Sequence, residues 1–160
     1  MDQVDKKEFS KARNKAFKLL SYRERTIKEI EDRLSKKDFE ADVIKAVVDF
    51  LLEKDYLNEE RFAEMWIRSR IRRKAEGLRK LKAALKQKGV DDRVADDALS
   101  QEFDKQMQQE ALEAATEKML VKSQGDRDKF IRMLLGRGFS WKQINNYSIN
   151  KFFQYYDELR

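Results

Sequence analysis

Residues 79–90 read RKLKAALKQKGV, and the same pattern stands twice more, as KEIEDRLSKKDF at 28–39 and DKFIRMLLGRGF at 128–139. The three stretches align on Leu34, Leu85 and Leu134, at offsets of 51 and 49 residues. Four residues earlier stand Ile30, Leu81 and Phe130; five later stand Phe39, Val90 and Phe139. Apolar residues one turn apart, closed by a turn-forming residue, mark a helix and its C-terminal stop. Working outward, the match continues. Leu20, Ile71 and Leu120 lie 14 residues before the aligned leucines, and Ala12, Ala63 and Leu112 lie 22 before. Ile44, Ala95 and Ile144 lie 10 after.

A period of this length with three helical stretches per unit predicts an all-α protein. It is built from three tandem three-helix repeats, over residues 1–57, 58–103 and 104–160. One such unit buries only a modest core. Stacking in series covers the remaining faces and gives an elongated, curved body. A single globular nine-helix bundle is the alternative. Local signals agree with the helices. Thr26 followed by Glu29 forms a capping-box pattern before Ile27, Ile30 and Leu34. All five glycines fall at expected helix junctions, with Gly89 as the C-terminal stop of the fifth helix.

Composition narrows the function classes. The 160 residues contain no proline, cysteine or histidine, while 41% are hydrophobic and 41% charged. Without cysteine or histidine there is no disulfide scaffold, no thiolate or imidazole zinc site and no imidazole-assisted nucleophile. No phosphate-binding glycine loop and no nucleophile–base pair is present, so neither an enzyme activity nor a cofactor is expected. Asp92 and Asp96 stand one helical turn apart and could chelate a hard cation. Acids at a helix start more commonly serve as caps and dipole partners. No apolar run reaches membrane-spanning length, and MDQVDKKEFSKARNK has no apolar signal region. A cytoplasmic protein is expected.

Charge is concentrated. The net charge is +6, yet the window 68–88 holds ten cations against one acid, Glu76. The cations are Arg68, Arg70, Arg72, Arg73, Lys74, Arg79, Lys80, Lys82, Lys86 and Lys88. These ten are the candidate nucleic-acid- or partner-binding residues, since a local positive field attracts polyanions. The fourth and fifth helices meet near Glu76–Gly77, so their basic faces are expected to form one continuous patch. Gly77 could also present backbone N–H groups to an anion. Leu78, Leu81 and Leu85 are expected to face inward. Where the first and third repeats carry Leu19 and Met119, the middle repeat carries Arg70. No helix offers a clear set of base-reading side chains, and Asp91, Asp92, Asp96 and Asp97 would repel a phosphate backbone. Backbone or partner binding is therefore favoured over sequence-specific duplex reading. In the C-terminal segment, Ile149, Phe152, Phe153 and Tyr156 form an apolar stripe, and Tyr155 falls off it toward solvent.

Several stretches also carry a resemblance. FKLLSYRERTIKEIEDRLSKKDF at 17–39 and VVDFLLEKDYLNEERFAEMWIRSRIRRKAEGLRKLKAALKQKGV at 47–90 resemble the RecX family of bacterial recombinase regulators. The resemblance is most specific in YLNEERFAE at 56–64 and RIRRKAEGLRKLKAALKQKGV at 70–90; KFIRMLLGRGFSWKQI at 129–144 is similar to the family's third repeat. Asp38 departs from the pattern, standing where the family has glycine. The resemblance implies three tandem three-helix repeats. It also implies a protein that binds the RecA–single-stranded DNA filament and suppresses its ATPase, strand exchange and coprotease functions. It places the protein in recombinational DNA repair and the SOS response. The partners implied are RecA as filament and DNA without sequence specificity, for a monomer with no membrane association. Two other functions fit the charge pattern: a general nucleic-acid-binding protein, and a helical scaffold for an acidic protein.

Overall fold

Residues 5–159 are described by a computed structural model. The outermost ends of the expected first and third repeats, residues 1–4 and 160, lie outside them. Every regular element among the described residues is helical. The first triad is α1 (Lys6–Leu20), α2 (Ile27–Ser35) and α3 (Ala41–Glu53). The second is α4 (Glu59–Ile71), α5 (Leu78–Gln87) and α6 (Asp92–Glu102). The third is α7 (Lys105–Ser123), α8 (Arg127–Gly136) and a last helix in consecutive pieces: α9 (Trp141–Gln143), a π-helical turn (Ile144–Ser148) and α10 (Ile149–Glu158).

Short polar residues start these helices. Asp5, Thr26, Asn58, Asp91, Asp104, Asp126 and Ser140 each accept a backbone N–H with the side chain, satisfying a donor the helix leaves open. Thr26 makes only half of the expected capping box. It accepts from the Glu29 N–H, but the Glu29 carboxylate turns away to Arg23, at 2.8 and 3.1 Å. The complete capping box is at Ser140 and Gln143.

Three separate cores follow, one per triad. The first gathers Ala12, Ala16, Ile30, Leu34, Val47 and Leu51, and the second Phe62, Ala63, Ile67, Leu81, Leu85 and Leu99. The third gathers Leu112, Met119, Phe130, Leu134, Phe139 and Phe152. All helix pairs in extensive contact belong to the same triad. The body is therefore an elongated series of helical triads rather than one nine-helix bundle.

Two apolar assignments change. Leu78 is 39% exposed, because it sits in the first turn of α5 before that helix reaches the core. Phe153 is 50% exposed at the edge of its stripe, while Tyr155 is half-buried and packs edge-on to Tyr156, ring centroids 5.0 Å apart. The Tyr156 hydroxyl donates to the Leu120 carbonyl at 2.7 Å and ties α10 to α7. Beside the π-helical turn, the buried hydroxyls of Thr116 and Ser148 satisfy each other at 2.7 Å.

Candidate nucleic-acid and partner interface

Helix α4 carries Arg68 and Arg70 in its last turn and Arg72 at its C-cap. Arg73 and Lys74 lie in the connection that follows. Helix α5 carries Arg79, Lys80, Lys82 and Lys86, and Lys88 is its C-cap. Six of these ten cations meet carboxylates. Arg68 binds Glu102 at 2.5 Å and Glu64 at 3.4 Å. Lys82 binds Asp96 at 2.7 Å, Lys86 binds Asp92 at 3.4 Å and Lys88 binds Glu29 at 3.4 Å. Arg70 and Lys80 both approach Glu76, at 2.7 and 3.9 Å. The hydrogen bond from Arg68 holds the Glu102 carboxyl below its ordinary range, and Glu102 in turn raises the Arg68 guanidinium. The hydrogen bond to Asp96 raises Lys82 in the same way. Asp92 and Asp96 of α6 are thus partners of α5, and Glu102 of α6 is a partner of α4. Asp92 and Asp96 take different lysines, and no cluster of three metal-ligating side chains occurs among the described residues.

Arg70 belongs to the fold. Its guanidinium donates twice to Glu76, at 2.7 and 3.2 Å, and its carbon lies 5.4 Å from the Trp66 ring centroid. Glu76 is only 4% exposed. A charge at a position that is apolar in the other repeats is held there by a buried counter-charge with both carboxylate oxygens engaged.

Arg72, Arg73, Lys74 and Arg79 make no ion pair among the described residues. Arg73 donates to the carbonyl and hydroxyl of Ser69, at 3.1 and 2.6 Å. These four line two grooves. Arg72, Arg73 and Lys74 line a groove of about 410 Å³ with Phe103, Met107 and Glu110. Arg79 lines another of about 410 Å³ with Arg70, Lys80, Gln87 and Leu135. Both grooves run between the second and third triads. The connection holding Ala75–Gly77 is docked onto the third triad.

That docking also decides the role of Gly77. Its N–H donates to the Arg137 carbonyl at 2.7 Å, so it is not presented to an anion. Arg137 reaches back to the Ala75 carbonyl at 3.2 Å, and Lys80 donates to the Gly136 carbonyl at 3.1 Å. A Cβ on Gly77 would overlap the Gly138 carbonyl and stand 2.7 Å from the Phe139 nitrogen. This joint is not among the features expected from the sequence. Its signal was present, since Gly77 opens one α-helix and Gly138 closes the matching helix of the next repeat.

Comparison with known proteins agrees with this architecture. Family models for the first and second three-helix domains of RecX match residues 12–51 and 58–99. The regulatory protein RecX of Clostridium perfringens (strain SM101 / Type A) is 35% identical over 149 residues, covering 89% of this chain and 69% of that protein. The crystal structure of RecX from Lactobacillus salivarius superposes with a TM-score of 0.79 at 32% identity, covering 91% of this chain and 97% of that one. A second RecX crystal structure, at 22% identity and a TM-score of 0.80, shares the fold over 89% of this chain and 78% of that one. With both domain models matched, and with relatives of this identity and coverage, the chain belongs to the RecX family of regulatory proteins.

Proposed function

We propose that the protein binds the RecA–single-stranded DNA filament and restrains its ATPase, strand exchange and coprotease activities. It thereby modulates recombinational repair and the SOS response. Membership of the RecX family is the observation that carries this reading. The basic middle repeat supports it. Arg72, Arg73, Lys74 and Arg79 keep their charge free of carboxylate partners, and arginine suits bidentate contact with phosphate or carboxylate. The other six candidates, Arg68, Arg70, Lys80, Lys82, Lys86 and Lys88, contribute to the field while also tying helices together. The protein acts as a monomer of three modules, 1–57, 58–103 and 104–160, reaching across the filament in series.

The test is RecA ATPase on single-stranded DNA, titrated with this protein far below the RecA concentration. Inhibition at low ratios supports the reading. Unaltered ATPase at equal concentration, with tight binding to naked DNA, favours a general nucleic-acid-binding protein instead. Replacing Arg72, Lys74 and Arg79 together by glutamate should weaken inhibition with an unchanged thermal melt. Full inhibition by that variant would remove the two grooves from the mechanism.

A further inference from the structure

The first repeat holds a second basic surface, outside the window 68–88. Lys15 and Lys18 of α1, Tyr22 after that helix, Arg33 of α2 and Lys37 after it line one groove of about 220 Å³, floored by Leu19. All four cations are exposed, and Tyr22 is 72% exposed. No carboxylate lines the groove. None of the four cations forms an ion pair among the described residues, in contrast to six of the ten in the middle repeat. Two of the acids nearby in sequence are engaged elsewhere: Glu24 binds Arg61 at 2.6 Å, and Glu29 binds Arg23 and Lys88. Arg25, whose Nε lies 3.5 Å from the Leu19 carbonyl, has its guanidinium lowered from the ordinary value chiefly by burial, with smaller contributions from the like charges of Arg23 and Arg33.

We propose that this face of the first repeat binds single-stranded nucleic acid, with Lys15, Lys18, Arg33 and Lys37 on the phosphates and a base stacked on Tyr22. Unpaired cations around an exposed aromatic ring are what a flexible polyanion with π-faces requires, whatever its sequence. An acidic peptide would use the cations but would gain nothing from a ring standing free of the protein surface. Duplex DNA would leave Tyr22 without an accessible base face. The surface is independent of RecA and goes beyond the filament reading.

The experiment measures anisotropy of a labelled oligothymidylate of about 15 nucleotides across a salt series, with no RecA present. Lys18→Ala with Arg33→Ala should reduce the log–log salt slope by about 1.4, since each lost phosphate contact removes about 0.7. Tyr22→Ala should weaken binding about 5- to 150-fold, which is the stacking contribution of one base, with the slope unchanged. Tyr22→Phe should restore it. All these side chains are exposed, so the variants should keep the wild-type helical melt. A wild-type slope in the double variant, or wild-type affinity in Tyr22→Ala, would overturn the proposal. Displacement by polyglutamate as effective as by unlabelled oligothymidylate would also overturn it, in favour of an acidic peptide. Because RecA is absent, these outcomes are distinct from failure of the filament reading, which the ATPase titration reports.

Discussion

The two joints between repeats solve the same problem with different chemistry. In each, the start of the second helix of one repeat meets the turn after the second helix of the next. Thr26 and Gly77 are the N-caps at these starts; Lys88–Gly89 and Arg137–Gly138 are the turns they meet. The first joint is made by side chains. The Thr26 hydroxyl donates to the Lys88 carbonyl at 2.8 Å, Glu29 pairs with Lys88, and Glu59 accepts the Ile27 N–H at 3.3 Å. Arg61 joins Glu24 at 2.6 Å. The second joint sets backbone directly against backbone, with the Gly77 N–H on the Arg137 carbonyl and no room for a Cβ between the chains, and the Arg137 and Lys80 side chains add bonds to the Ala75 and Gly136 carbonyls. A side-chain joint has adjustable parts and titrates; a backbone joint has neither freedom. The stiffer joint is the one flanked by the two basic grooves, so it fixes their relative position.

The largest expected effect lies beside the second joint. Arg70→Met leaves Glu76 buried without its bidentate partner and should cost about 3–5 kcal/mol, read from urea unfolding. A loss under about 1 kcal/mol would mean that Lys80, 3.9 Å away, neutralises Glu76 by itself.

Next come matched substitutions at the two turns. Gly89 and Gly138 both have positive φ, at +87° and +90°. Alanine at either therefore carries the same backbone penalty of about 1–2 kcal/mol. The surroundings differ. At Gly89 a new Cβ meets only the Lys28 side chain: its Cδ, at 2.9 Å, can swing aside, but its Cβ, at 2.7 Å, moves only with the helix backbone. At Gly138 it meets the Lys80 main chain, with the Lys80 Cβ at 2.6 Å. Gly138→Ala should cost a further ~1–3 kcal/mol from overpacking, and Gly89→Ala less, since no main-chain atom stands against its Cβ. Equal losses in thermal or urea unfolding would show that the two joints are equally adaptable.

Why the sequence disclosed the helices but not the pairing of charges has a physical cause. Helix faces are written locally, as Ile30–Leu34, Leu81–Leu85 and Phe130–Leu134 show, and each of these residues is buried. Ion pairs depend on the tertiary fold. Lys82 finds Asp96 14 residues on, Arg68 finds Glu102 34 residues on, and Lys88 finds Glu29 59 residues back. The window 68–88 therefore looked unpaired in sequence and is mostly paired in space. The groove around Tyr22 is the converse case. Its cations are interspersed in sequence with Glu24, Glu29, Glu31 and Asp32, which hides a surface that the fold leaves free of acid. Lys15, Lys18 and Tyr22 do recur at helical spacing, and that was its one local signal.

Acid should distinguish the joints more gently. Burial pushes the Glu29 carboxyl up, but the hydrogen bond and charge of Arg23, with Lys88, outweigh it and hold the group below 4.5. Its folded value being lower than its unfolded one, Glu29 stabilises the first joint above about pH 4.5 and loses that contribution as pH falls through the folded value. Glu59 runs the other way. Burial raises it despite the Ile27 N–H, so protonation relieves a cost before Glu29 begins to titrate. Thermal melts between pH 7 and 3 should show Glu29→Gln flattening the loss below pH 4.5, by an amount under about 1 kcal/mol. An unchanged acid limb in that variant would assign the loss to other carboxylates. The hydrogen bond between Gly77 and Arg137 joins backbone groups and does not titrate.

The smallest effect concerns the turn that no repeat docks upon. Asp38 occupies the place held by Gly89 and Gly138 and shares their left-handed backbone, with φ +61°. It is exposed, and no helix start of another repeat meets it among the described residues. In the second and third repeats, two demands fall on this residue: positive φ and the absence of a Cβ under the neighbouring helix. In the first repeat only the backbone demand remains, and aspartate is among the few residues that meet it at low cost. Asp38→Gly should therefore relieve residual strain while adding freedom to the unfolded chain. The two nearly cancel, leaving a net gain below about 1 kcal/mol in urea unfolding. A gain well above that would mean that the aspartate strains the turn as much as an ordinary residue would. A clear loss would mean that its side chain holds the turn closed. In either case the contrast with Gly138→Ala separates what the backbone conformation requires from what the docking of a neighbouring repeat requires.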